Sequence, residues 1–347
     1  MSQMKTVTKM SKDQWHKERD KGLGGSDCAA ALGQNRWKSP YTLWLEKTGR
    51  IERFKGNRKT EIGLEVEEAI FQMTKKRLGS EFELDENGNL ILTHDKAFDK
   101  AKEKLNQKGL DVLHNNQFFR SDKYPWMIGN IDGDIYDPET ESWGVLEIKF
   151  TSPFLKKEWE GEEIPQEYIL QLQHYFIVTE RDWGFLAVLI GNEDFILKRV
   201  ERDEELCQMI IDGEKDFWDC VVNKTPPAID GAENTKESLK ELYPAESTEP
   251  DAIRLPEDAK NLCQTREEIR QQIKELDEMK TEVENKIKDL LGEHEVGLVD
   301  DWEVHWKPRT QNKFNLKKFK KDKKKLYEQY LEEKETRYFT MKQKKEE

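Results

Sequence analysis

The sequence predicts an α/β fold, a mixed central sheet flanked by helices, followed by a C-terminal helical, coiled-coil extension. Three observations predict it. Helical patterns alternate with two pairs of strand-like runs over residues 1–222, which is the ordering of a sheet wrapped by helices. One of those runs, Leu146-Glu-Ile-Lys149, alternates apolar and charged residues as a strand with one face on a core does. Beyond residue 257 the apolar residues change to heptad spacing.

Residues 1–21 read as a helix containing Trp15 and Arg19. A glycine-rich turn, Gly22-Leu-Gly-Gly-Ser-Asp27, leads into a short helix over 28–32. A helix over 42–49 closes on Gly49 in the C-cap position. Over 59–78, Ile62, Val66, Ala69, Ile70 and Met73 recur at three- and four-residue steps until Gly79, an amphipathic helix. Strand signals at 127–136 and 143–150 flank a turn on Asp137-Pro138, and those at 185–190 and 195–200 flank Gly191-Asn-Glu-Asp194. Between the pairs, 166–179 is helical, with Ile169, Leu172 and Phe176 on one stripe.

The first domain is expected to end at residue 222. Pro226, Pro227, Pro244, Pro250 and Pro256 among acidic residues mark 223–257 as a linker or extended connection. Residues 258–292 form the heptad segment: Leu262, Ile269, Ile273, Leu276, Val283, Ile287 and Leu290, interrupted by Lys280. This seam either pairs between chains or folds back on its own domain. Residues 293–347 hold a short strand around Trp302–Trp306 and a basic tail.

Composition narrows the class. The chain has 347 residues, 35% of them apolar, with 58 Lys/Arg against 71 Asp/Glu, a net charge of −13. No apolar run reaches the length of a membrane span, and the first residues lack an apolar leader, so a cytoplasmic location and no membrane partner are expected. Four scattered cysteines with no CxxC pair argue against disulfide frameworks, zinc ribbons and cysteine-bound clusters. The charge is uneven. Residues 307–347 carry fifteen Lys/Arg and seven Asp/Glu, a net +8, which leaves −21 for residues 1–306. Such a tail suits phosphate or an acidic partner; a solvated helical end is the plainer reading.

The densest chemistry is Ile131-Asp-Gly-Asp134 followed by Leu146-Glu-Ile-Lys149. Residues two apart in a strand share a face, so Glu147 and Lys149 point the same way. Asp132, on the preceding hairpin arm, converges with Glu147. Two carboxylates at one point repel, and a hard divalent cation relieves the repulsion. Lys149 beside them is placed to help deprotonate water. Taken alone, Glu147 and Lys149 read as an ion pair on a half-exposed strand; the Asp-Gly hairpin upstream brings the metal reading level with it. Glu67, four residues after Gly63 at the edge of an apolar stripe, is a third acid; Gln171 and Tyr175 form an i, i+4 pair that can orient a phosphate. Arg19 with Gly22-Leu-Gly-Gly-Ser26 offers a guanidinium, glycine-exposed N–H groups and a hydroxyl to an anion. It lacks the spacing of a dinucleotide or Walker loop. The six histidines show no metal spacing and read as structural or surface residues.

The order WxxxRxxxxGGSD, GxxxE, D-G…ExK, QxxxY resembles the YqaJ-type viral recombinases, which belong with the phage lambda exonuclease branch of the PD-(D/E)XK nuclease superfamily. The resemblance covers roughly residues 13–222. It implies a restriction-endonuclease-like core and a Mg²⁺- (or Mn²⁺-) dependent 5′→3′ exonuclease acting on double-stranded DNA ends. Such an enzyme releases mononucleotides and leaves 3′ single strands for an annealing protein. The resemblance also implies a ring-shaped homo-oligomer, often a trimer. Residue by residue, the metal set falls on Glu67, Asp132, Glu147 and Ile148, the catalytic lysine on Lys149, and the last motif on Gln171 and Tyr175. The 5′-phosphate contacts fall on Arg19 and Ser26, with Arg36 at the DNA end. Asn130 stands where the family commonly has serine, which alters that phosphate contact. Two other readings stay open: a related endonuclease that cuts internally, and an inactive DNA-binding adaptor.

Overall fold

The strand that carries Glu147 and Lys149 is the middle of a five-stranded sheet, and both of its faces are covered. The computed structural model describes residues 17–78, 109–115, 117–161, 163–245, 252–333 and 335–343, in two units, 1–242 and 243–347. Of the helix expected over 1–21, residues 17–19 are helical; Trp15 lies outside the described residues, as does Gly79.

The first unit begins with helices α1 (Gly25–Ala31), α2 (Pro40–Lys47) and α3 (Arg58–Leu78). Strands β1 (Asp111–His114), β2 (Phe119–Arg120), β3 (Ile128–Gly129), β4 (Gly133–Asp137) and β5 (Ser142–Thr151) follow. After a 3-10 helix (Pro153–Trp159) come α4 (Gln166–Thr179), β6 (Trp183–Ile190), β7 (Asp194–Glu201), α5 (Glu204–Val222) and α6 (Glu233–Leu242). Local signals start the helices. The Ser39 hydroxyl accepts from the Thr42 amide at 3.1 Å with Pro40 in the first turn of α2, and Asp203 accepts from the Leu206 amide at 3.0 Å to cap α5.

The sheet order is β1-β4-β5-β6-β7. β4 and β5 are antiparallel, β5 and β6 parallel with α4 as the crossover, and β6 and β7 an antiparallel hairpin turning on Gly191 at φ 58°. Leu146 and Ile148 of β5 pack with Ile70 and Phe71 of α3 on one face of the sheet. Val145 packs with Leu172 and Phe176 of α4 on the other. Strand alternation therefore turns Glu147 and Lys149 toward α4.

The single strand expected over 127–136 is two. β3 pairs with β2, while β4 joins the main sheet between β1 and β5. Residues 130–132 lie in the break, where the chain changes partners. β1 carries one buried residue, Val112, too little alternation to announce a strand.

The linker expected over 223–257 is also revised. α6 lies within it and belongs to the first unit. Its buried residues are Thr235 and Ser238, whose hydroxyls meet those of Ser39 and Thr42 on the α2 side at 2.6 and 3.0 Å. Leu239 and Leu242 of the same helix pack on the core cluster that holds Tyr41 and Trp44, an apolar stripe of only two residues in a ten-residue helix among prolines and acids.

The second unit contains α7 (Ala259–Leu291), β8 (Val296–Val299), β9 (Trp302–His305), α8 (Leu316–Asp322) and α9 (Lys324–Gln329). The heptad segment is one 33-residue helix, about 50 Å long, and its seam is exposed, Ile273 at 55% and Leu276 at 63%. The strand expected at Trp302 is half of an antiparallel hairpin, and Leu291 packs against it at Gly297. Among the described residues no helix is long and apolar enough to cross a membrane.

Candidate active site

β5 and α4 together position the centre. Glu147 is 2% exposed, and the Lys149 ammonium pairs with its Oε1. The same oxygen accepts from Gln171 Nε2 at 2.6 Å, and that amide also reaches the Tyr175 hydroxyl at 3.0 Å. Gln171 and Tyr175 were expected to orient a phosphate. In the structure Gln171 holds the Glu147 carboxylate, and Tyr175 accepts from Gln171. Glu147 Oε2 is buried and makes no hydrogen bond among the described residues, a costly state for a carboxylate oxygen unless something cationic occupies its open side.

Asp132 reaches the same place from the break between β3 and β4. Its amide donates to the Leu146 carbonyl at 3.2 Å, and its Oδ2 accepts from the Ile148 amide at 2.7 Å, so the carboxylate is pinned to the backbone of β5. Ile148 can offer a cation only a main-chain oxygen. Glu67, half-buried on α3, is near enough to feel the charges of this centre. Its pKa is raised, first by burial and then by the Asp132 carboxylate, with Lys149 pulling it back. Burial likewise raises Asp132 against the opposing pull of Lys149. Glu147 is pushed up to about 8, by burial first and then by Asp132. Burial works against the Lys149 ammonium, but Glu147 and Asp132 outweigh it and hold its pKa above the ordinary value. Asp134, two residues from Asp132, is committed elsewhere: it pairs with Arg181 at 2.6 Å and accepts from Asn115 at 2.7 Å.

A second cluster of polar residues adjoins this one. Arg19 Nη2 donates to the Ser26 hydroxyl at 2.6 Å, which brings the two expected phosphate contacts together. Beneath them Asp27 is 2% exposed and pairs with Lys47 at 2.8 Å, and Lys47 also donates to the carbonyls of Arg19 and Gly22. Burial raises the Asp27 pKa, but Lys47, Arg19 and Arg53 outweigh it and hold the carboxyl below the usual range. Gly25 shows why this turn needs glycine. A Cβ there would stand 2.6 Å from the Tyr175 ring and 3.1 Å from Gln171 Cγ. The turn thus lies directly on the residues that orient Glu147.

Two of the expected contacts have protein partners. Arg36 forks Glu158 through both terminal nitrogens at 2.8 Å and reaches Glu167 at 2.8 Å, so its guanidinium is already held by carboxylates. Asn130 donates its amide to the Gln117 carbonyl at 2.9 Å. Sequence reasoning missed Lys47 and Tyr168; the Tyr168 ring centroid lies 5.5 Å from the Lys149 nitrogen. Neither shows a periodicity or motif of its own. His174, read as structural or surface, is fully buried and structural: Nδ1 meets Glu214 at 2.7 Å and Nε2 the Ile128 carbonyl at 2.8 Å. Cys28 adjoins that pair. With both ring nitrogens engaged, the group clamps α4 to β3 and α5.

Glu67, Asp132 and Glu147 offer oxygen donors alone, beside one orphaned buried oxygen, a chemistry that suits a hard divalent cation; the three carboxylates do not all lie within 4.8 Å of one another, as Cys28, His174 and Glu214 do. The chain also has recognisable relatives. A family profile described as "YqaJ-like viral recombinase domain" matches residues 14–182. The "Uncharacterized protein YqaJ" of Bacillus subtilis (strain 168) is 34% identical over 340 residues, covering 97% of this chain and 96% of that protein. Among solved structures, the chain is similar to an alkaline exonuclease (LHK-Exo) from Laribacter hongkongensis. The identity is 15%, the TM-score 0.43, and the match covers 66% of this chain and 99% of the other. A phage related exonuclease from Haemophilus somnus 129PT is also 15% identical, at TM-score 0.29 over 58% of this chain and 96% of its own.

Proposed function

Because the chain belongs to the YqaJ-like viral recombinase family, we propose that this nuclease-type enzyme is a Mg²⁺- or Mn²⁺-dependent exonuclease. It digests double-stranded DNA from its ends, 5′ to 3′, releases mononucleotides and leaves a 3′ single strand for an annealing protein. A ring of identical subunits, a trimer by resemblance, is part of the same proposal. The observation that carries it is the meeting of Asp132, Glu147 and Lys149 at β5 beside an orphaned Glu147 oxygen, with Glu67 close enough for its carboxyl to respond to the charges of Asp132 and Lys149.

Each residue has a task in this reading. Arg19 and Ser26 hold the terminal 5′-phosphate, and Lys47 keeps their loop in shape through the Arg19 and Gly22 carbonyls. Gln171 presents the Glu147 carboxylate, and the Ile148 amide fixes Asp132. Glu67, Asp132 and Glu147 would hold the cation, which supplies positive charge against the scissile phosphate and acidifies water. Lys149, paired with Glu147, moves a proton at the attacking oxygen once that carboxylate is otherwise engaged.

The test is digestion of linear duplex with Mg²⁺, comparing 5′-phosphate with 5′-hydroxyl ends and with covalently closed circles. Mononucleotides from linear DNA only, faster from phosphorylated ends and abolished by Asp132→Ala, are expected. Cutting of closed circles would establish the endonuclease instead. DNA binding without hydrolysis under any divalent cation would establish the inactive adaptor.

A further inference from the structure

We propose that the C-terminal unit is a binding arm for single-stranded DNA, the strand that the proposed digestion leaves behind; the inference rests on that reading for the origin of its ligand. Two features of this unit point to it. From residue 317 to 325 seven of nine positions are lysine, all exposed, on α8 and the start of α9. Among the described residues only Lys324 of this run has a carboxylate partner, Glu328, at 3.8 Å. The Lys320 ammonium rests over the Tyr327 ring, 4.6 Å from its centroid. The run is held in shape: Asn315 accepts from the Lys318 amide at 2.9 Å, and Phe319 packs on Phe314 with ring centroids 4.9 Å apart.

The second feature is aromatic. Trp302 and Trp306 are 74% and 50% exposed. Alternation along the strand places them on one face of the hairpin, about 13 Å apart along the chain. Phe314 and Tyr330 flank the lysines and are 70% and 81% exposed. Exposed rings in the same unit as a run of ammonium groups, most of them without a carboxylate partner among the described residues, suit a ligand that offers flat apolar faces and phosphates together. Single-stranded nucleic acid does so; a duplex hides its base faces in the stack, and an acidic protein surface has few rings to offer. The charge also has the right contrast. Residues 307–347 are net +8 against −21 for residues 1–306, so a polyanion is drawn to the lysine-rich end of this unit.

The experiment measures anisotropy of the full chain with a labelled oligo-dT of about 20 nucleotides and with a hairpin duplex, in EDTA so that neither is cut. Trp302→Ala/Trp306→Ala should weaken oligo-dT binding about tenfold or more and leave duplex binding nearly unchanged. Lys317→Gln/Lys318→Gln/Lys320→Gln/Lys321→Gln should lower the salt-dependence slope for oligo-dT by about 3. Unchanged oligo-dT affinity and slope in both variants would overturn the proposal, as would equal losses on duplex and single strand in the tryptophan variant. A lysine variant that changes oligomeric state by light scattering while keeping its DNA affinity would assign the arm to another copy's acidic body, and overturn it too. Digestion of a short blunt duplex, scored alongside, tests the nuclease reading separately: wild type that binds oligo-dT but digests nothing refutes that reading alone.

Discussion

Glu147 makes the stability of the first unit depend on pH and on a divalent cation in opposite senses. Its carboxyl, ordinarily near 4.5, is pushed up to about 8 in the fold. The native state therefore holds a proton that the unfolded state has released over that window. The stabilisation is fully present below pH 4.5 and is lost as pH rises through 8. At about 1.36 kcal/mol for each tenfold change in affinity, the ceiling is about 5 kcal/mol. For a unit of this size that is a fall in Tm of about 10 °C or more. The perturbation is Glu147→Gln, which keeps the shape of the protonated acid and cannot ionise. Thermal unfolding in EDTA from about pH 5 to 9 should show wild type losing stability relative to the variant as pH rises. Mg²⁺ should restore the wild type most at the alkaline end, where the carboxylate is free to bind it, and should do nothing for the variant. A wild-type-minus-variant difference that is flat across this range, or Mg²⁺ stabilisation that is equal in both proteins, would refute the account of Glu147 as a buried acid awaiting a cation.

Further outcomes follow from the same contacts. Lys149→Met should fold and bind DNA ends but lose about 10²- to 10⁴-fold in hydrolysis; a single-turnover rate near wild type would remove Lys149 from the chemistry. Arg19→Ala should erase a preference for 5′-phosphate over 5′-hydroxyl ends worth about 1.5–3 kcal/mol, and a preference that survives would move the anchor elsewhere. Asp27→Asn leaves Lys47 buried without its counter-charge and should cost about 3–5 kcal/mol in chemical denaturation; a loss below about 1 kcal/mol would contradict the buried pair. Gly25→Ala drives a methyl into the Tyr175 ring and should cost about 1–3 kcal/mol together with activity; an unchanged Tm would show that α1 and α4 are less tightly apposed.

Much of this was legible in order along the chain. The period of the apolar residues located α3, α4, β5 and the β6–β7 hairpin, because each has a face against a core and burial selects residue type at that period. Alternation also put Glu147 and Lys149 on one side of a strand, and short motifs in sequence pointed to Asp132, Gln171 and Tyr175. Local pattern carries no information about what lies on the far side of a side chain, and that is where the sequence reading stopped. Only the packing of α4 on β5 buried Glu147 and turned Gln171 into its donor rather than a phosphate ligand. Only the change of partner between β3 and β4 set Asp132 on the Ile148 amide and left Asp134 to Arg181. The engagement of Arg36 by Glu158 and Glu167, and the docking of α6 through Thr235 and Ser238, depend on residues more than a hundred positions apart. Sequence alone thus determined which residue types stood ready and which face of each element they shared. Tertiary structure decided which of them meet, because burial and charge proximity are set by distances through space that spacing along the chain does not contain.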